Sequence, residues 1–140
     1  MEWEKYYKKT VARPPRDTLV FALDRFDEEL DDDDRHFAID LGCGNGRDTV
    51  EILRRSWDVL AVDAEHDAIS ALSERLDEVA RARLQFHTGR FEELNLPDAD
   101  LVNSSFALPL VDPPSFPDLW DNILISVRSE GRIACQLYGD

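Results

Sequence analysis

Apolar positions along the chain alternate between short runs and stripes with helical spacing. The short runs predict five β-strands, at residues 36–41, 58–62, 84–87, 101–106 and 132–138. The stripes predict helices between them, at residues 47–55, 65–80 and 116–127, after a first helix that carries Leu19, Leu23, Phe26 and Leu30. Pairs of prolines at 14–15 and 113–114 stand where the first and last of these helices open.

The inward faces of these helices follow from the same spacing. We expect Val50 and Leu53 to face the core from the second helix. The third and fourth helices are expected to present the stripes Ala68, Ile69, Leu72, Leu76, Val79 and Leu119, Trp120, Ile123, Leu124.

Strands that are largely apolar and alternate with helices are typical of a parallel sheet covered on both faces. Because crossover connections are right-handed, such a sheet is expected to be doubly wound, with helices on both faces. The prediction is an α/β, doubly wound, Rossmann-like domain with a mostly parallel sheet of about five strands. The 140 residues are expected to form one domain, with a helical segment at 1–35 and an α/β core at 36–140.

Three glycines follow the first predicted strand at alternate positions. The strand ends in Asp40, and Gly42, Gly44 and Gly46 come next, directly before a helical pattern. Glycine permits positive φ and close approach of the backbone to a ligand, and a helix start offers unpaired N–H groups. The dinucleotide fingerprint G-x-G-x-x-G is not met, since Arg47 stands where its last glycine would lie. The pattern therefore favours a smaller nucleoside ligand over NAD or FAD.

A second acid, Asp63, ends the second predicted strand, 21 residues after Gly42. A carboxylate at this place can accept hydrogen bonds from both ribose hydroxyls of a nucleoside. The alternative is an aspartate that caps the helix beginning near Glu65. Asp40, at the end of a buried strand, is costly unless it is paired, so we expect it to meet a cation or several donors.

The stretch Asp-Leu-Gly-Cys-Gly-Asn-Gly at 40–46, together with Val62-Asp63, resembles the class I S-adenosylmethionine-dependent methyltransferases over residues 37–138. The extension at 46–49 and the N-terminal Trp-x-x-Tyr-Tyr are similar to the tellurite-resistance and small-molecule branch. The resemblance implies S-adenosylmethionine as cofactor, with its ammonium group at Asp40, its methionine part at the glycines and its ribose at Asp63. The cofactor-binding residues that it implies are Asp40, Gly42, Cys43, Gly44, Gly46, Asp63, Ala64, Arg90, Phe91, Asn103 and Ser104.

Two positions depart from the patterns common in this family. Arg90 stands where relatives often carry the acid that accepts from the adenine amino group, and an arginine only donates. Adenine recognition would then rest on backbone groups near Phe91, on stacking or on Glu92. After the fourth strand the chain lacks the Asn/Asp-Pro-Pro-aromatic motif of many amino-methylating enzymes, which leaves methyl transfer to a small-molecule acceptor. No general base is evident, so no catalytic residue is assigned.

The formal net charge of −14 disfavours direct contact with nucleic acid, whose phosphates such a field repels. An acidic, lysine-poor composition suits either a high-salt cytoplasm or a GC-rich genome. The three histidines lack metal-ligand spacing, and Cys43 and Cys135 are expected to be buried, reduced thiols. Neither a signal peptide nor a 20-residue apolar span is present, which makes the cytoplasm the expected location and a membrane partner unexpected.

Members of the family that the sequence resembles usually continue with a sixth and a seventh strand, and we expect these two strands to be absent here. The alternative function is therefore a non-catalytic or truncated S-adenosylmethionine-binding module, which pairs into a homodimer through the open edge of its fifth strand. A nicotinamide oxidoreductase is a third hypothesis. The aromatic residues Trp3, Tyr6 and Tyr7 are expected either to close over the cofactor or to dock the first helix on the core.

Overall fold

The computed structural model describes residues 14–29, 35–44, 46–105 and 111–136, without the side chains of Ile69 and Glu92. The N-terminal aromatic residues and the expectations placed on Leu30, Phe106, Glu92 and residues 137–138 lie outside this described part.

A parallel sheet of five strands forms the centre of the fold. The strands are β1 (Phe37–Leu41), β2 (Asp58–Asp63), β3 (Leu84–Thr88), β4 (Ala99–Ser104) and β5 (Val127–Cys135). Their order across the sheet is β3-β2-β1-β4-β5, and every pairing is parallel. The chain thus winds outward from β1 in one direction and then in the other, which confirms the predicted doubly wound, Rossmann-like fold.

Helices connect the strands. They are α1 (Asp17–Glu29), α2 (Arg47–Arg54), α3 (His66–Glu74), α4 (Glu78–Ala82) and α5 (Phe116–Ser126). Short 3₁₀ turns lie at Phe91–Glu93 and at Pro113–Ser115, the second directly before α5. No helix within the described ranges has both the length and the apolar character needed to cross a membrane.

Apolar side chains pack on both faces of the sheet. On one face, residues of α1, α2 and α3 such as Leu23, Ile52 and Leu72 pack with Ala38 and Leu101 of the sheet. On the other face, α5 packs against alternate strand residues, among them Ile39, Val62 and Val102. Side chains alternate along a strand, so two residues beyond the paired Ala38 and Leu101 the chain places Asp40 and Asn103 on the α2 face.

The predicted helix over residues 65–80 is wrong in its length, because α3 ends at Glu74 and α4 begins at Glu78. The side chain of Asp77 accepts a hydrogen bond from the Ala80 backbone N–H at 2.8 Å, which starts a new helix instead of continuing the old one. After this break Val79 does not face the core, and 64% of it is exposed.

Other details differ from the sequence prediction. The strand β4 begins at Ala99 rather than at 101 and ends at Ser104. In α2, Leu53 lies in the core and Val50 packs against it, as predicted, but Thr49 and Ile52 are buried as well. In α5, Leu124 is half exposed. The fifth strand begins at Val127 rather than at 132, and its pairing with β4 is irregular until Arg132 meets Leu101. The apolar pattern predicted only the part of β5 that pairs regularly with β4.

Candidate functional site

The glycine bend, residues 42–46, lies at the carboxyl end of β1. Gly42, Gly44 and Gly46 have φ of 74°, 55° and 85°, which side-chain-bearing residues rarely adopt. The backbone N–H of Gly42 donates to the Val62 carbonyl at 2.7 Å, and that of Gly46 donates to the Cys43 carbonyl at 2.9 Å. These bonds fold the bend back over the end of β2, the strand that carries Asp63.

Gly46 has a second reason to be glycine. A Cβ atom at this position would lie 2.3 Å from Cδ1 of Leu72, a fully buried side chain of α3. The missing side chain therefore lets the start of α2 pack closely against α3. This requirement belongs to the fold and is independent of any ligand.

The Asp63 carboxylate is oriented by two backbone donors. Its Oδ2 accepts from the Gly44 N–H at 2.9 Å, and its Oδ1 accepts from the Glu65 N–H at 2.9 Å. The bond to Glu65 closes a turn before α3 but does not cap that helix, whose N-cap is Glu65 and has no side-chain capping bond, so the capping alternative is not met. The bond to Gly44 points the carboxylate at the glycine bend. A carboxylate has about four acceptor positions, so about two remain for other donors. Asp63 thus has both a defined orientation and spare accepting capacity.

Asp40 is buried on the α2 face beneath the bend, and only 1% of it is exposed. Its Oδ2 accepts from the Thr49 hydroxyl at 2.5 Å, and its Oδ1 accepts from the Asn103 amide at 3.0 Å. Burial and the nearby Asp48 carboxylate raise the pKa of Asp40 to about 7, against the opposing effect of its two hydrogen bonds. We expected Asp40 to meet either a cation or several hydrogen-bond donors. Among the described residues its partners are hydrogen-bond donors.

Asp48 and Thr49, in the first turn of α2, were not predicted as site residues. Asp48 is 3% exposed, and its Oδ1 accepts from the Arg16 backbone N–H at 2.9 Å. Its Oδ2 accepts from the Asn103 amide at 3.1 Å and from the Ser105 hydroxyl. Their spacing along the helix could have indicated that they are buried, since they share one face of α2 with Ile52 and Leu53.

Asn103 and Ser104 end β4 beside β1. The Asn103 amide nitrogen contacts both Asp40 and Asp48, whereas its Oδ1 is buried and has no hydrogen-bond partner among the described residues. The Ser104 hydroxyl donates to the Leu41 carbonyl at 3.0 Å. Asn103 therefore has a defined amide orientation, and Ser104 ties the end of β4 to the end of β1.

The segment after β3 lies next to Asp63. The Gly89 N–H donates to the Asp63 carbonyl at 2.9 Å, Arg90 is exposed, and Phe91 packs into the α5 side of the core. Ala64, which follows Asp63, is exposed. The structure thus brings Asp63, Arg90 and Phe91 to one end of the sheet.

Cys43 lies inside the glycine bend and is buried. Burial, together with the negative charges of Asp40 and Asp63, raises the pKa of its thiol well above the ordinary value. A thiol that stays protonated is a poor nucleophile. Within the described ranges, histidine, cysteine and acidic residues form no group of three suited to a metal ion.

Comparisons with known proteins identify the family of the chain. A family model described as "Methyltransferase domain" matches residues 38–131, which include the glycine bend, Asp63 and Asn103. The chain belongs to this family, the class I S-adenosylmethionine-dependent methyltransferases.

Among curated proteins, magnesium-protoporphyrin O-methyltransferase from Rhodobacter capsulatus is 34% identical over 95 residues, which are 67% of this chain and 41% of that protein. The glycopeptide N-methyltransferase MtfA, solved with S-adenosylmethionine, has a TM-score of 0.67 and 17% identity, over 89% of this chain and 55% of its own. A methyltransferase from Mesorhizobium loti has a TM-score of 0.64 and 19% identity, over 80% and 51%. The chain thus spans about half the length of these relatives.

Proposed function

We propose that the protein transfers a methyl group from S-adenosylmethionine to a small-molecule acceptor. The observation that carries this proposal is the Asp63 carboxylate, which ends β2 and is aimed at the glycine bend by the Gly44 N–H at 2.9 Å. A carboxylate held beside a glycine-rich bend matches the ribose and methionine ends of this cofactor.

The donors and acceptors of the site fit the cofactor. Asp63 keeps accepting capacity for the ribose hydroxyls, and the bend keeps bulk away from the methionine part. The unpartnered Oδ1 of Asn103 is a buried acceptor one strand away from Asp40, and an ammonium group is a donor that would satisfy it. We propose cofactor contacts for six further residues because they lie at this end of the sheet. They are Gly42, Cys43, Ala64, Arg90, Phe91 and Ser104.

When bound, S-adenosylmethionine supplies a methyl group already activated by its positively charged sulfur. The protein then has to bind, orient and exclude water, because holding two reactants in line supplies much of the rate of such a reaction. In this proposal Asp63 fixes the sugar. The Asp48 carboxylate, which raises the pKa of Asp40, adds negative charge beneath the bend and so favours a cationic ligand. No residue of the chain is assigned as a general base.

The acceptor is proposed from charge. With a net charge of −14, the protein favours cationic or neutral small molecules over phosphorylated ones and disfavours nucleic acid. The relatives are named for a magnesium-protoporphyrin and a glycopeptide as acceptors, which supports methylation of an organic molecule. We also propose a cytoplasmic location, because no apolar run in the sequence approaches the roughly 20 residues that span a membrane.

The test is protection against thermal unfolding by S-adenosylhomocysteine, with NAD as the competing ligand. Binding to the folded state alone raises the melting temperature, by an amount worth about 2.7 kcal/mol when the ligand is at 100 times its Kd. We expect S-adenosylhomocysteine to raise it and NAD to leave it unchanged. Protection by NAD alone would replace the proposal with a nicotinamide enzyme, and protection by neither ligand would remove it.

A second function is favoured by the edge of the sheet. Strand β5 pairs with β4 only, so its other edge has no strand partner among the described residues. An S-adenosylmethionine-binding module that forms a homodimer through this edge would satisfy those backbone groups. Light scattering at increasing concentration distinguishes the two: a dimer that binds S-adenosylhomocysteine without methylating any acceptor supports the module, and an active monomer excludes it.

A further inference from the structure

The two ends of the glycine bend are joined by one side chain. Asp40 precedes the bend and Asp48 follows it, and the amide nitrogen of Asn103 donates to both, at 3.0 and 3.1 Å. All three residues are at least 97% buried. An amide nitrogen has two hydrogens, so both are used in spanning the bend.

Asp48 is the member of this group that reaches furthest through the fold. Besides Asn103 it accepts from the Arg16 backbone N–H, 32 residues earlier, and from the Ser105 hydroxyl, 57 residues later. One carboxylate thereby joins the entry to α1, the first turn of α2 and the end of β4. Hydrogen bonds to a buried charge are among the stronger ones, so their loss should change geometry as well as stability.

We propose that Asp48 is a positioning residue for the cofactor site. Acting through Asn103, it holds the two ends of the glycine bend at a fixed separation, and this sets the direction of the Gly44 N–H and of the Asp63 carboxylate that it contacts. Asp48 itself need not touch the cofactor. The expected effect on cofactor binding rests on the proposed function. The expected effect on the shape of the glycine bend does not, because it concerns the protein without ligand.

The first measurement is the affinity for S-adenosylhomocysteine by titration calorimetry, at a temperature where each variant is fully folded. Asp48→Asn exchanges one accepting oxygen for a donor, which then faces a donor in either orientation, the Arg16 N–H or the Asn103 amide. We expect its Kd to rise about tenfold or more, the change that loss of one hydrogen bond to a charged group produces. The matched control is Asp17→Asn, which removes the same charge from an exposed position in the first turn of α1; its Kd is expected to stay within about twofold.

A double-mutant cycle separates positioning through Asn103 from loss of charge. Asn103→Ala removes the bridging amide, and Asp48→Asn is measured with and without that change. If Asp48 acts through Asn103, Asp48→Asn costs little further affinity once the amide is gone. Full additivity of the two losses overturns the proposal, because loss of charge or general destabilisation acts with or without the amide.

Hydrogen exchange on the ligand-free protein tests the geometry without any cofactor. The Val50 N–H donates to the Gly46 carbonyl at 2.8 Å, and the Gly46 N–H to the Cys43 carbonyl at 2.9 Å. In Asp48→Asn both amides should exchange at least about ten times faster, while those of β1 and β2 keep their rates. Unchanged exchange at Gly46 and Val50 overturns the inference even if the cofactor binds. Failure of the wild-type protein to bind S-adenosylhomocysteine overturns the proposed function instead.

Discussion

Gly44 and Asp63 are joined across the ends of β1 and β2 by a hydrogen bond of 2.9 Å from the Gly44 backbone N–H to the carboxylate Oδ2. The bend that leaves room for a ligand and the acid proposed to bind it therefore form one unit. Neither can shift without the other.

Replacing Asp63 with asparagine should weaken binding of S-adenosylhomocysteine by about ten- to a hundredfold, because a hydrogen bond to a charged group is worth about 1.5–3 kcal/mol. Titration calorimetry measures the Kd. Asp58→Asn, at the opposite end of the same strand, is the control and should bind as the wild type does. Equal affinities of Asp63→Asn and the wild type would exclude Asp63 from the ligand site.

Asp40 should make the stability of the protein depend on pH. Its pKa is raised from 3.8 to about 7 in the folded state, so folding binds a proton between these values. The stabilisation from this proton is complete below about pH 4 and is lost as the pH rises to about 7.

The free energy of unfolding from urea titrations should accordingly fall for the wild type relative to Asp40→Asn between pH 5 and 7, with a slope of up to about 1.4 kcal/mol per pH unit. Above about pH 7 the difference should level off. Asp118→Asn, an exposed acid in the first turn of α5, should follow the wild-type curve. Parallel curves for the wild type and Asp40→Asn would show that Asp40 is ionised throughout this range.

Gly46→Ala should destabilise the fold by about 1–3 kcal/mol, because alanine must adopt a left-handed conformation and its Cβ would lie 2.3 Å from Leu72. Gly89→Ala is a matched control: the nearest atom to its Cβ is the far end of the His87 side chain, at 3.0 Å, and its φ is not positive. Chemical denaturation measures the free energy of unfolding of both variants. Equal stability of the two would contradict the packing role of Gly46.

Arg55 joins α1 to α2. Its Nη1 lies 2.8 Å from carboxylate oxygens of Asp24 and Asp27, and its Nε lies 3.2 Å from Glu51. Arg55→Gln should lower the free energy of unfolding by about 1 kcal/mol in dilute buffer, and less in molar salt, where the Debye length is about 3 Å.

Arg54→Gln is the comparison for this variant. Arg54 contacts Glu51 from a side chain that is 75% exposed and lies within the same helix. Its replacement should change stability by less than about 0.5 kcal/mol. If the two variants lose equal stability, the joint between α1 and α2 does not depend on Arg55.

The architecture could be predicted from the sequence because its signals are local. Buried parallel strands need apolar runs, and the helices that cover them need apolar stripes. The glycines at 42, 44 and 46 and the acid at 63 are likewise visible, since positive φ and a strand-end carboxylate have few residue types to choose from. Errors arose where a second local signal competed, as at Asp77, whose capping bond divides one predicted helix into two.

The sequence by itself determined the order of strands and helices, the place of the bend and the identity of Asp40 and Asp63. Only the tertiary structure decided that Asn103 and Asp48 meet beneath that bend, and that Arg16 and Ser105 converge on the same carboxylate. The physical reason is distance along the chain. These contacts join residues 32 to 63 positions apart, and the pairing of β1 with β4 and the packing of α2 against the sheet bring them together.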